Sequence, residues 1–150
     1  MQRRLSLLAA ILVAGPAWAC VPDGEAGLRV ISLTNAYRAS LGRAPLAGDA
    51  ELARAATIHA CDLAASGRFS HQGSDGSSVG DRARTAGYAW GFIAENIAKG
   101  QPSAASVLSS WRSSSGHNDN LLDPAAREIG VASVPSPDGT LWVMVLGAAR

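Results

Sequence analysis

An excess of charge of one sign is missing from this sequence. Thirteen Lys and Arg stand against twelve Asp and Glu, leaving a formal charge of +1 over 150 residues. That balance gives no reason to expect a nucleic-acid partner or an anionic membrane surface. The chain has only two cysteines, no repeat and no low-complexity tract. The familiar local signatures are absent as well. There is no H-E-x-x-H helix for zinc, no paired C-x-x-C, no phosphate-binding loop and no G-x-G-x-x-G after a strand. A site, if there is one, must be assembled by the fold from distant residues.

What is present begins with a processing signal. Met1-Gln2-Arg3-Arg4 is a basic start, Leu5 to Gly15 is an apolar run, and Ala17-Trp18-Ala19 before Cys20 fits a small-x-small cleavage site. The run falls short of the roughly 20 apolar residues that span a bilayer. Residues 1–19 are therefore expected to be a signal peptide, cleaved after Ala19, and the product to be secreted or periplasmic with no integral membrane segment. A Cys directly after the cleavage point also fits a lipoprotein. However, Ala17 and Trp18 replace the branched aliphatic and the small residue of such signals, so anchoring at Cys20 is the lesser expectation. Without residues 1–19, which carry two arginines and no acid, the formal charge becomes −1. Residues 20–150 suit a single domain with a modest core. In an oxidising compartment Cys20 and Cys61 could pair, closing a loop of about 40 residues worth roughly 3 to 4 kcal/mol in the chain-entropy model. Acylation of Cys20 would exclude that bond.

Along the chain, Val30, Leu33, Tyr37 and Leu41 recur at helical spacing and Gly42 stops the run. Asn35 and Arg38 share that helix, either as a solvated pair or with the arginine reaching into a loop. Asp49 caps a second helix whose Leu52, Ala56, His59 and Leu63 lie on one face, which makes His59 a core histidine. Phe69-Ser70-His71 follows, with Phe69 expected to dock into the core. A Gly/Ser loop leads to a short third helix carrying Val79, Arg82, Ala83 and Ala86. Trp90 and Phe92, two apart, are expected on one strand face. Ser103 caps a fourth helix bearing Val107, Leu108 and Trp111, with His117 just past its end, where the dipole favours the protonated ring. Residues 120–124 read as a loop. Residues 129–134 and 141–146, joined by Pro135-Ser136-Pro137-Asp138-Gly139, form an antiparallel hairpin whose apolar second strand should be central.

Gly76-Ser77-Ser78-Val79-Gly80 matches the nucleophile-elbow pattern, but it follows a polar loop where a buried strand is required. It is read as a loop. His71, Glu95 and His117 remain, each beside an apolar anchor in small-residue surroundings. Two neutral imidazoles and a carboxylate suit Zn²⁺ with an open position, provided their atoms converge to about 2.0–2.2 Å from the ion.

Asn35-Ala36-Tyr37-Arg38 with Pro45-Leu46, His59-Ala60, Phe69-Ser70-His71, Ala86-Gly87-Tyr88, Ala94-Glu95-Asn96-Ile97-Ala98, Trp111 with Ser114-Ser115-Gly116-His117, Asn120-Leu121-Leu122 and Glu128-Ile129-Gly130-Val131 occur in order over nearly all of residues 20–150. Together they resemble the bacterial branch of the CAP superfamily (cysteine-rich secretory proteins, antigen 5 and pathogenesis-related 1 proteins, or SCP domains). The resemblance implies an α+β fold, an α-β-α sandwich with about four helices flanking a small antiparallel sheet that ends in a C-terminal hairpin. It also implies a cavity in which His71 and His117 bind a divalent metal, often zinc, with Glu95 beside them. Where the family often has a second Glu, three residues past Trp111, this chain has Ser114. Gly116-His117-Asn118 replaces the longer aromatic motif of the eukaryotic proteins. The expected function is a cleft that binds a small or lipid-like ligand through His71, Glu95 and His117. The alternative is a metal-dependent ester or peptide hydrolase with Glu95 as general base.

Overall fold

The computed structural model describes residues 20–150, so the signal-peptide reading of residues 1–19 lies outside the described residues. The elements run α1 (Gly24–Ser40), β1 (Ala47–Gly48), α2 (Ala50–Ser66), α3 (Val79–Thr85), β2 (Trp90–Lys99), α4 (Ala104–Arg112), α5 (Ser115–Leu122), β3 (Glu128–Val134) and β4 (Leu141–Ala149). Short polar side chains open the helices. Asp23 accepts from the Ala26 amide and Asp49 from the Leu52 amide, while Ser78 with Asp81 and Ser103 with Ser106 form reciprocal caps. Gly67, in the left-handed region at φ 68°, closes α2.

Among the described residues the four strands order as β1-β3-β4-β2. β2, β3 and β4 pair antiparallel, and two-residue β1 adds a parallel edge. The all-apolar β4 is central, as its composition predicts. Its side chains alternate between two cores. Val143 and Val145 pack with Leu52, Ala56 and Leu63 of α2. Trp142, Met144 and Leu146 pack with Val30 of α1, Val107 and Trp111 of α4, and Leu121 of α5. The sandwich is therefore α2 and α3, sheet, then α1, α4 and α5. Gly130 is what lets α2 sit on β3, because a Cβ there would stand 2.1 Å from the Ala53 nitrogen.

Cys20 and Cys61 form a disulfide that ties the start of the described chain to α2. Arg38 takes the reaching role: it is buried and donates to the carbonyls of Ala44, Leu121 and Asp123. Asn35 donates to the Leu46 carbonyl and accepts from its amide.

Three local expectations fail for identifiable reasons. Phe69 is 48% exposed and sits near Lys99 rather than in the core. Trp90 and Phe92 fall into opposite cores, because a bulge between them shifts the register by one residue and reverses the side-chain direction. A fifth helix occupies part of the expected 120–124 loop. His117 is its third residue, so it lies at a helix N-terminal end and not past a C-terminal one.

Candidate functional site

β2 is an edge strand, and Glu95 points from it toward the α2–α3 layer with its side chain only 2% exposed. A buried carboxylate is costly unless paired and hydrogen-bonded, and both oxygens of Glu95 are committed. Oε1 lies 2.8 Å from His71 Nδ1, and Oε2 accepts from Arg82 Nη2 at 2.7 Å. The Arg82 guanidinium, also buried, donates to the Ser77 carbonyl at 2.9 Å and to the His71 carbonyl at 3.1 Å. Below them His59, fully buried, lies 2.8 Å through Nε2 from the Ser70 carbonyl and 3.7 Å from Glu95. A carbonyl can only accept, so Nε2 carries the proton and Nδ1 is left bare, buried and without a partner.

The loop carrying His71 is tied down along its length. Asp62 of α2 accepts from the amide and hydroxyl of Ser74, the Gly73 amide donates to the Ser77 carbonyl, and the Ser77 amide donates to Asp75. Hydrogen bonding from the Ser77 side chain, then from its amide, holds the exposed Asp75 carboxyl below the usual range. Ser78, the centre of the elbow-like pattern, donates to Asp81 and accepts from its amide as the cap of α3. Its hydroxyl is a helix cap.

His117 comes from the opposite helical layer. Its carbonyl accepts from Asn96 at 3.1 Å, and Asn120 reaches both the Glu95 carbonyl and the Asn96 side chain. α5 is thus fastened to β2 at the residue beside Glu95. His117 Nδ1 lies 2.9 Å from Ser114 Oγ, so the serine found where an acid is common orients the ring with a neutral group. Burial, then the nearby charge of His71, lowers the His117 pKa, and the positive end of α5 acts in the same direction. The Glu95 hydrogen bond raises that of His71 against an opposing burial effect. Burial lowers that of His59.

An open cavity of about 490 Å³ is lined by His71, Gln72, Gly76, Ser78, Val79 and Glu95. His71 and Glu95 are therefore together in the cleft, whereas His117 is within range of His71's charge but outside that lining. Nδ1 is engaged in both candidate imidazoles, which leaves Nε2 of each as the nitrogen available to an ion. Among the described residues no group of three or more His, Cys, Asp or Glu side chains is disposed to hold a metal. A three-ligand catalytic zinc site is therefore not formed among the described residues, and the nitrogen donors facing the cleft region come from imidazoles alone, with a carboxylate behind that of His71.

Arg82 and the Asn96–Asn120 pair escaped sequence reasoning. Arg82 had a signal: it shares the inward stripe of Val79, Ala83 and Ala86 on a short helix whose other charged residues, Asp81 and Arg84, face outward, and an arginine in such a stripe needs an acid. Asn120 belonged to a segment that carries the resemblance, but its place in an apparent loop gave no sign of a contact with β2.

A three-layer α-β-α domain with a His/Glu cluster on its edge strand is the class that fold and site define. The chain belongs to the CAP, or cysteine-rich secretory protein, family, whose model matches residues 31–146. It is 36% identical over 114 residues to the protein YkwD of Bacillus subtilis, covering 76% of this chain and 44% of that one. An extracellular SCP-domain protein of Bacillus anthracis superposes with a TM-score of 0.78 at 25% identity, over 85% of this chain and 41% of that chain. An outer surface protein of Borrelia burgdorferi shares the fold with a TM-score of 0.80 at 19% identity, over 87% and 98%. The chain thus spans less than half the length of the two Bacillus proteins.

Proposed function

We propose that this domain works outside the cytoplasm as a binding module, taking a small or lipid-like ligand in the cleft at the edge of β2. In this reading His71 and His117 supply nitrogen donors to a divalent ion such as zinc, and Glu95 orients His71. The observation that carries it is the His71–Glu95 contact at 2.8 Å, which directs the free Nε2 of an otherwise exposed ring away from the buried carboxylate. A cavity of about 490 Å³ is of ligand size. An ion held there would offer an open position to a ligand oxygen. Export is supported by the disulfide and by the fold shared with an extracellular SCP-domain protein and an outer surface protein.

The hydrolase alternative is less well supported, because the Glu95 side chain is only 2% exposed and a substrate water would have to compete with His71 and Arg82 for its oxygens. Calorimetric titration of zinc into the protein and into a His71→Ala/His117→Ala variant tests the metal assignment. Binding is expected only to the former, and equal binding overturns it. Chelator-sensitive turnover on an ester and peptide panel, abolished by Glu95→Gln, would restore the hydrolase.

A further inference from the structure

The cleft wall is a loop that one buried guanidinium holds at both ends. We infer that Arg82 is the positioning residue of this site, fixing the ring of His71 and the course of residues 71–77 before any ligand arrives. This deepens the reading of His71 as a ligand-facing group, on which its functional meaning rests.

Arg82 is 3% exposed and meets three acceptors from three parts of the chain. Nη2 binds Glu95 Oε2 at 2.7 Å and the His71 carbonyl at 3.1 Å, while Nη1 binds the Ser77 carbonyl at 2.9 Å. The His71 and Ser77 bonds clamp the beginning and end of the wall. The Glu95 bond turns the carboxylate so that its other oxygen faces His71 Nδ1. Because a carboxylate accepts, Nδ1 keeps its proton and Nε2 is the lone-pair nitrogen of the neutral ring. One side chain therefore sets both where His71 sits and which nitrogen it offers. A planar fork with donors in fixed directions can do this, whereas an ammonium can satisfy the charge of Glu95 but not all three directions together. Asp62 and His59 fasten the same loop at Ser74 and Ser70, but neither touches the Glu95 oxygen that faces Arg82.

The test uses nitrogen-15 NMR of the ligand-free protein at pH 8, so it is independent of whether zinc or any ligand binds. In the parent, His71 should give the pattern of a single Nδ1–H tautomer. The amides of Gly73 and Ser77, bonded within the loop, should exchange slowly. In Arg82→Met the ring pattern should move to a tautomer mixture and those amides should exchange at least tenfold faster, with His117 unchanged. Arg82→Lys should recover the His71 pattern in part and leave loop exchange fast. Unaltered tautomer and exchange in Arg82→Met overturn the inference. Should that variant fail to fold, parent-like loop exchange in Arg82→Lys overturns it equally.

Discussion

Replacing Arg82 by Met should be among the most damaging single changes in this protein, for a reason that a double variant can isolate. The substitution keeps an unbranched stem of related length but removes the partner of a carboxylate whose side chain is 2% exposed. It also removes the donor to the His71 carbonyl and one of the two donors to the Ser77 carbonyl, which keeps the Gly73 amide. Breaking a buried pair from one side costs about 3 to 5 kcal/mol, against a total stability of about 5 to 15 kcal/mol for such domains. Glu95→Leu alone should cost less, because the guanidinium retains two carbonyl acceptors. The double variant carries no stranded charge, so its cost should fall below the sum of the singles by at least about 2 kcal/mol. Urea unfolding followed by the fluorescence of buried Trp111 and Trp142, with the disulfide intact, reads all three. A loss of that size moves the midpoint by about 2 M. A cost for Arg82→Met below about 1 kcal/mol, or additivity within about 0.5 kcal/mol, would refute the idea that this pair is a desolvated unit.

Replacing both cysteines by serine should lower stability by about 4 kcal/mol in the chain-entropy model, given the sequence separation of 41. The melting temperature reads that loss, and the intact mass of the parent shows whether the bond forms. Gly130→Ala drives a methyl into the backbone of Ala53 at 2.1 Å. It should cost about 3 kcal/mol or more, or abolish soluble expression, as measured by denaturation or yield. The histidines pull stability in opposite directions with pH. His59 and His117 have lowered folded-state values, so stability present above about pH 6.5 is lost as pH falls through those lower values. His71 has a raised value, so its contribution is complete below about pH 6.5 and is lost as pH rises through the raised value. Unfolding curves from pH 5 to 8 should show a flatter acid limb for His59→Gln. His71→Gln should remove the decline on the alkaline side.

The layers of the fold were legible because burial writes periodic patterns. Leu52, Ala56, His59 and Leu63 drew the inner face of α2, and the unbroken apolar run of β4 announced a central strand. The misses arise where one residue changes a phase or a partner. The bulge at Gly91 separates Trp90 from Phe92, and the glycine between the two aromatics is the one local mark of it. α5 was hidden because Ser115, Gly116, Asn118 and Asn120 favour turns, and docking on β2 through Asn96 overrides that preference. At the site, His71 and Glu95 were found by residue type, and their contact is direct. His117 was placed at the wrong end of a helix, which reversed the expected effect on its protonation. Arg82 belongs to a different class of information, since only the tertiary structure says which acid an inward-facing arginine meets.

β2 ends the sheet, and a sheet's end is where an unrelated strand could attach itself. Here Asn120 caps the Glu95 carbonyl and Asn96 draws the first turn of α5 over the neighbouring position. The fastening that brings His117 to the strand therefore also occupies a polar backbone group that an intruding chain would need. The contacts that place His117 and those that shield the edge of the sheet are the same few atoms, so a change to either Asn96 or Asn120 disturbs both.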